Sequence, residues 1–231
     1  GQYEAAEQIY LNVLDIQRRQ FDGDHPDIAL ALNNLAYLLY DKGDVEEAMA
    51  MSRESLEMYR RVHGDEHPDV ANGMSTLGGW LADEGDYEAA EPMMREALEI
   101  HRTLLGDEHV DVAISLSSLA DLLVATGQYE EASGYAEEAR ATFTDALSED
   151  HWRTAVATSV EGASLTGLRQ FEDAESLLLS SYEILNDEDS GARDVHKQDA
   201  LLRLVSLYDD WGRPQEAAGY RRQLDATNGS R

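Results

Sequence analysis

A repeat of 42 residues runs through this chain and constrains its fold more than any other feature. Gly1-Gln2-Tyr3-Glu4-Ala5-Ala6-Glu7 returns as Gly43-Asp44-Val45-Glu46-Glu47-Ala48, as Gly85-Asp86-Tyr87-Glu88-Ala89-Ala90-Glu91 and as Gly127-Gln128-Tyr129-Glu130-Glu131-Ala132. A second marker keeps the same step: His25-Pro26-Asp27, His67-Pro68-Asp69, His109-Val110-Asp111 and His151-Trp152-Arg153. Two independent markers in one register point to stacked units that bury their faces against one another. Later occurrences drift. Arg169-Gln170-Phe171-Glu172-Asp173-Ala174-Glu175 loses the glycine, and Gly212-Arg213-Pro214-Gln215-Glu216-Ala217-Ala218 carries it one residue late.

Each unit reads as two antiparallel helices. The first opens at Asp-Glu-His-Pro-Asp, an acidic or polar cap followed by proline, whose missing N–H costs nothing there, and by a carboxylate at the positive helix end. Ile28, Leu32, Leu35, Ala36 and Leu39 then follow at helical spacing. Gly43 ends that helix, and Gly64 or Gly106 ends the second. Small residues at Ala36, Gly78, Ala120 and Gly162, and at Ala48, Ala90, Ala132 and Ala174, allow the paired helices to approach closely. The expectation is one all-α array over 1–231: a lone helix at 2–20, then pairs at 25–63, 67–105, 109–147, 150–186 and 192–227, eleven helices in all. The lone first helix and the absence of an initial Met predict a chain that continues upstream. Glu161 stands where earlier repeats carry Leu35, Leu77 and Leu119, which predicts a loosened or shifted fourth pair.

These residues resemble a known family. Leu32-Asn33-Asn34-Leu35-Ala36, the Gly-Asp/Gln-Tyr-Glu-x-Ala-Glu segment, and Leu105-Gly106-Asp107-Glu108-His109 are similar to the tetratricopeptide repeats of kinesin light chains, which also run to 42 residues. The resemblance covers nearly the whole chain. It implies a right-handed superhelical solenoid of helix pairs that binds protein or peptide. A narrower likeness joins 151–157 and 204–218 to the closing repeats of bacterial serine/threonine protein kinases, which implies a piece of a larger bacterial signalling protein.

Composition excludes several functions. With 47 acidic against 18 basic residues the net charge is −29, which repels phosphate backbones and anionic lipid, so neither nucleic acid nor membrane is an expected partner. No apolar run approaches the roughly 18 residues a bilayer needs. Cysteine is absent, so no thiolate is present to attack a substrate or bind metal, and a reducing cytoplasm fits. No kinase loop, Walker loop or nucleophile elbow is found, so the chain is expected to be non-catalytic and to need no cofactor. His63 and His67 stand four apart, like a helical metal pair, but Gly64 and Pro68 place them in a connection. Capping or loop packing explains the repeated histidines, and no metal is expected.

Among tetratricopeptide arrays the first helix of each pair lines the concave groove. The resemblance therefore implies inward positions at Leu30, Asn33, Tyr37, Tyr40 and Asp41; at Asn72, Ser75, Gly79, Ala82 and Asp83; at Ile114, Ser117, Asp121 and Val124; and at Val156, Ser159, Ala163 and Thr166. Asn33, Ser75, Ser117 and Ser159 form a ladder of small polar groups suited to an extended backbone, and Tyr37 and Tyr40 add flat amphipathic surface. None of these positions is basic, which favours a neutral or basic peptide and disfavours acidic cargo. The alternative is a structural spacer that self-associates through the apolar face of its unpaired first helix.

Overall fold

The computed structural model describes residues 2–228, and among them every regular element is helical. Two compact units divide the chain, Gly1–Leu104 and Leu105–Arg231.

The first unit holds α1 (Gln2–Gln20), α2 (Pro26–Lys42), α3 (Val45–His63), α4 (Pro68–Asp83) and most of α5 (Tyr87–Leu105). Neighbours in sequence pack as neighbours in space, α1 on α2, α2 on α3 and α3 on α4. The apolar spacing of α2 becomes its core face: Ile28, Leu32, Leu35, Ala36 and Leu39 are all buried. Gly43 closes α2 at φ 96°, where a side chain would be strained, and Asp44 N–H donates to the Leu39 carbonyl at 2.9 Å. The small residues do what close approach demands. A Cβ on Gly78 of α4 would lie 2.6 Å from Met94 Cγ and 3.5 Å from the Ala90 carbonyl of α5.

The second unit holds α6 (Val110–Ala125), α7 (Tyr129–Ala146), α8 (Trp152–Gly167), α9 (Phe171–Asn186), α10 (Asp194–Asp210) and α11 (Pro214–Asn228), with a 3-10 turn at Glu188–Ser190. Here α8 packs on α6, α7, α9 and α10. Gly162 of α8 repeats the role of Gly78, since an added Cβ would meet Leu178 Cγ at 2.7 Å and the Ala174 carbonyl at 3.4 Å.

The helix openings show what the repeated histidine does. His25, His67, His109 and His151 are the N-caps of α2, α4, α6 and α8, and the Nδ1 of each accepts the N–H two residues on, at 3.1–3.2 Å. The cap is thus the imidazole itself, rather than the acidic residue before it.

The expected loosening at Glu161 does not occur. Helices α8 and α9 keep the 42-residue step in their starts, Trp152 after Val110 and Phe171 after Tyr129. Glu161 bonds Arg140 of α7 at 2.7 Å, so the carboxylate in the leucine position is matched by a guanidinium.

Candidate functional site

In the first unit, α2 and α4 place their exposed polar and aromatic residues side by side. Leu30, Asn33, Tyr37 and Tyr40 recur at three and four residues and so share one face of α2. Tyr37 is 44% exposed and Leu30 49% exposed, while Asn33 and Tyr40 are half-buried. Beneath the tyrosines lies Trp80 of α4, only 6% exposed. Tyr40 stacks on its indole at 4.5 Å with planes 7° apart, and Tyr37 meets it edge-on at 5.3 Å. Hydrogen bonds hold both rings. Tyr37 and Thr76 hydroxyls share one at 2.7 Å, and the Tyr40 hydroxyl donates to Asp83 at 2.6 Å. Burial, and then the Asp83 carboxylate, push the Tyr40 phenol above its ordinary range, so it remains a donor at any physiological pH. On α4, Asn72 is exposed and Ser75 and Gly79 are half-buried.

Sequence reasoning reached both tyrosines and Asp83 but passed over Trp80 and Thr76, which support them. A signal was available: Trp80 falls where other repeats carry Leu38 and Leu122.

In the second unit the inner positions behave differently. Ile114 is half-buried and Asp121 exposed, while Ser117 is 7%, Ser159 0% and Ala163 9% exposed. Val124 and Val156 pack against core clusters. Ser159 is committed: Arg203 of α10 donates to its hydroxyl at 3.1 Å and to Asp121 of α6 at 2.5 Å. One guanidinium therefore reaches across α8 and ties three front helices together. None of the inner positions named from the sequence is basic, but Arg203 brings a guanidinium onto the buried Ser159, so the serine ladder does not present Ser159 to a ligand. The inner positions named from the sequence stop at Thr166 and include none on α10, so Arg203 was passed over.

A cleft of about 850 Å³ opens elsewhere in the second unit, between α7, α8, α9 and the turn that follows. Its rim carries Glu149, Asp150, Glu183, Asp187 and Asp189. Thr144, Thr154, Thr158, Ser180, Ser181 and Ser190 line it, and each donates its hydroxyl hydrogen to a backbone carbonyl at 2.7–3.1 Å. What those hydroxyls offer a ligand is lone pairs. The one guanidinium in the lining, Arg140, is engaged with Glu161.

No helix among the described residues is long and apolar enough to cross a membrane. The chain matches the family described as tetratricopeptide repeat in four overlapping windows, residues 1–61, 27–103, 69–145 and 111–187. No curated protein matches it. Among solved structures it is similar to BtubC (BKLC) from P. vanneervenii, at 20% identity and a TM-score of 0.74 over 100% of this chain and 92% of that one. It is also similar to a putative kinesin light chain of Podospora anserina with nearly identical repeats, at 21% identity and TM-score 0.66 over 90% and 98%. The Rap protein complexed with competence and sporulation factor matches at 17% identity and TM-score 0.67 over 100% and 73%. At such identities the likeness establishes the fold, helix pairs of the tetratricopeptide type with kinesin-light-chain-like relatives.

Proposed function

We propose that this chain, which belongs to the tetratricopeptide-repeat family, is a non-catalytic scaffold that binds an extended neutral or basic polypeptide segment. The inner face of the first unit is the docking strip. The Tyr37–Tyr40–Trp80 cluster carries this reading. Its rings are already fixed by hydrogen bonds and stacking, so a partner that lies on them forfeits little side-chain freedom. Leu30 extends the apolar surface along α2 by two turns, and Asn33, Asn72 and Ser75 bring amide and hydroxyl groups suited to a peptide backbone. Asp41 and Asp83 leave the strip negative. The lone-pair cleft of the second unit supports the same preference for donor-rich, positively charged segments. The Rap structure, which holds a bound factor, supports the use of such a fold for capture. The C-terminal likeness to kinase-attached repeats supports a cytoplasmic place in a larger bacterial signalling protein.

Fluorescence polarisation against extended peptides of positive, zero and negative net charge tests the proposal. Positive and neutral peptides bind, binding weakens as salt rises, and Tyr37→Ala weakens it on the order of tenfold or more. Equal binding of acidic peptides, or a Tyr37→Ala protein that binds unchanged, sinks it.

A second reading rests on α1. Ile9, Val13 and Ile16, 62%, 38% and 59% exposed, share one face of α1, an apolar surface that a second copy of the chain would cover in a spacer or self-association module. Mass by light scattering that doubles with concentration, and returns to the monomer value in Ile9→Asp/Ile16→Asp, favours this reading.

A further inference from the structure

We propose that His63, His67 and Asp69, at the junction of α3 and α4, form a binding site for a divalent transition-metal ion of the Zn²⁺ type. The repeat supplies its own control. In the preceding unit the matching junction holds Phe21, stacked on the capping His25 at 3.4 Å with planes 3° apart. Forty-two residues on, His63 replaces that phenylalanine and stacks on the capping His67 at 4.0 Å and 11°. The stack needs only a flat ring, as Phe21 shows, so the ring nitrogens of His63 are surplus to packing. Its Nε2 is nevertheless buried and without a hydrogen-bond partner. That is a costly group to leave idle.

The neighbours of that nitrogen are metal ligands. Asp69 Oδ2 lies 3.6 Å from His63 Nε2 and 3.5 Å from His67 Nδ1, and one donor atom from each of the three residues falls within 4.8 Å of the others. Ligands about 2.0–2.2 Å from a tetrahedral zinc stand ~3.3 Å apart, so the carboxylate needs to move only slightly. The imidazoles must do more. Their lone pairs run in near-parallel planes, and binding splays the stack so that both nitrogens aim at one point beside Asp69. His67 Nδ1 also exchanges the Asp69 N–H bond of 3.2 Å for the ion. Two nitrogens and one carboxylate oxygen select zinc, cobalt or nickel over calcium or magnesium, which take all-oxygen sets. Water completes the shell, since all three side chains are partly exposed. An ion held there pins the end of α3 to the start of α4.

Titration of chelator-treated, tag-free protein with Zn²⁺ by calorimetry, and with Co²⁺ by visible absorption, tests the site. The expected result is one saturable site with a nitrogen-ligated cobalt spectrum that excess Ca²⁺ leaves intact, and a raised melting midpoint. His63→Phe copies the Phe21 arrangement, so it keeps the fold by circular dichroism and weakens binding at least about tenfold; Asp69→Asn weakens it too. Zn²⁺ affinity unchanged in His63→Phe, or displacement of the ion by Ca²⁺, assigns the binding to the diffuse acidic surface and overturns the proposal.

Discussion

Arg169 adopts φ 62°, the left-handed conformation that Gly43, Gly85 and Gly127 take at the same place in earlier repeats. The turn geometry is demanded by the packed hairpin, and the hydrogen bonds persist: Gln170 N–H reaches the Leu165 carbonyl at 2.9 Å, as Asp44 N–H reaches that of Leu39. An L-residue in this region costs roughly 1–2 kcal/mol. The guanidinium lies over the Phe171 ring at 5.4 Å and recovers part of that, about 0.5 kcal/mol at an exposed site. Arg169→Gly is therefore expected to stabilise the second unit by about 0.5–1 kcal/mol, read as a higher urea midpoint with unchanged slope. The residue scale also shows why a lost motif letter is not a lost structure. Drift at Arg169 hides the turn from a search for glycine, but the chain still bends there because the apolar faces of α8 and α9 require it.

At the scale of elements, the pairing of Arg140 with Glu161 joins α7 to α8. The Glu161 side chain is 13% exposed and that of Arg140 36%. Removing the cation strands a nearly buried carboxylate, whereas removing both charges restores the leucine-like surface found at Leu35, Leu77 and Leu119. Arg140→Ala should destabilise by roughly 1–3 kcal/mol, less than breaking a fully buried pair costs because Arg140 is partly solvated. Arg140→Met combined with Glu161→Leu should return to wild-type stability or exceed it. Equilibrium denaturation of the three proteins checks both signs, and a double variant as weak as Arg140→Ala would refute the argument. This pair also explains why the sequence misled here. Glu161 in a leucine position reads as a defect when α8 is considered alone, and its partner is 21 residues away on another helix.

Charge acts on the whole molecule. A net charge of −29 at pH 7 means that mild acidification relieves self-repulsion, and this alone predicts a chain that tolerates pH 5 well. His196 opposes that trend. It stacks on Trp152 at 5.1 Å, its Nε2 is buried without a hydrogen-bond partner, and burial, followed by Arg193, Arg203 and Arg153, lowers its pKa to about 4, with Asp121 acting weakly the other way. The unfolded chain takes up this proton near pH 6.5, but the folded chain resists it until about 4. The contribution to stability is thus complete above pH 6.5 and is lost as pH falls through that window. At pH 5 the loss is roughly 1 kcal/mol, the full shift being reduced because the ring is partly exposed to solvent. Wild type should drop by that much more than His196→Gln between pH 7 and pH 5 in denaturant melts, the surface carboxylates being common to both. Equal pH profiles would show that His196 is not held neutral.

Periodicity and composition alone determined the helical hairpins, their step of 42 residues, their small-residue crossings and their family, because each unit must bury the same face in the same way. The same pattern named Tyr37 and Tyr40, since a helix face is read directly from spacing. Tertiary structure decided what lies between helices: Trp80 beneath the tyrosines, Arg203 spanning to Ser159 and Asp121, and Asp69 beside His63. Such contacts depend on side chains meeting across separate helices, and a one-dimensional repeat specifies which face turns inward but not which partner waits there.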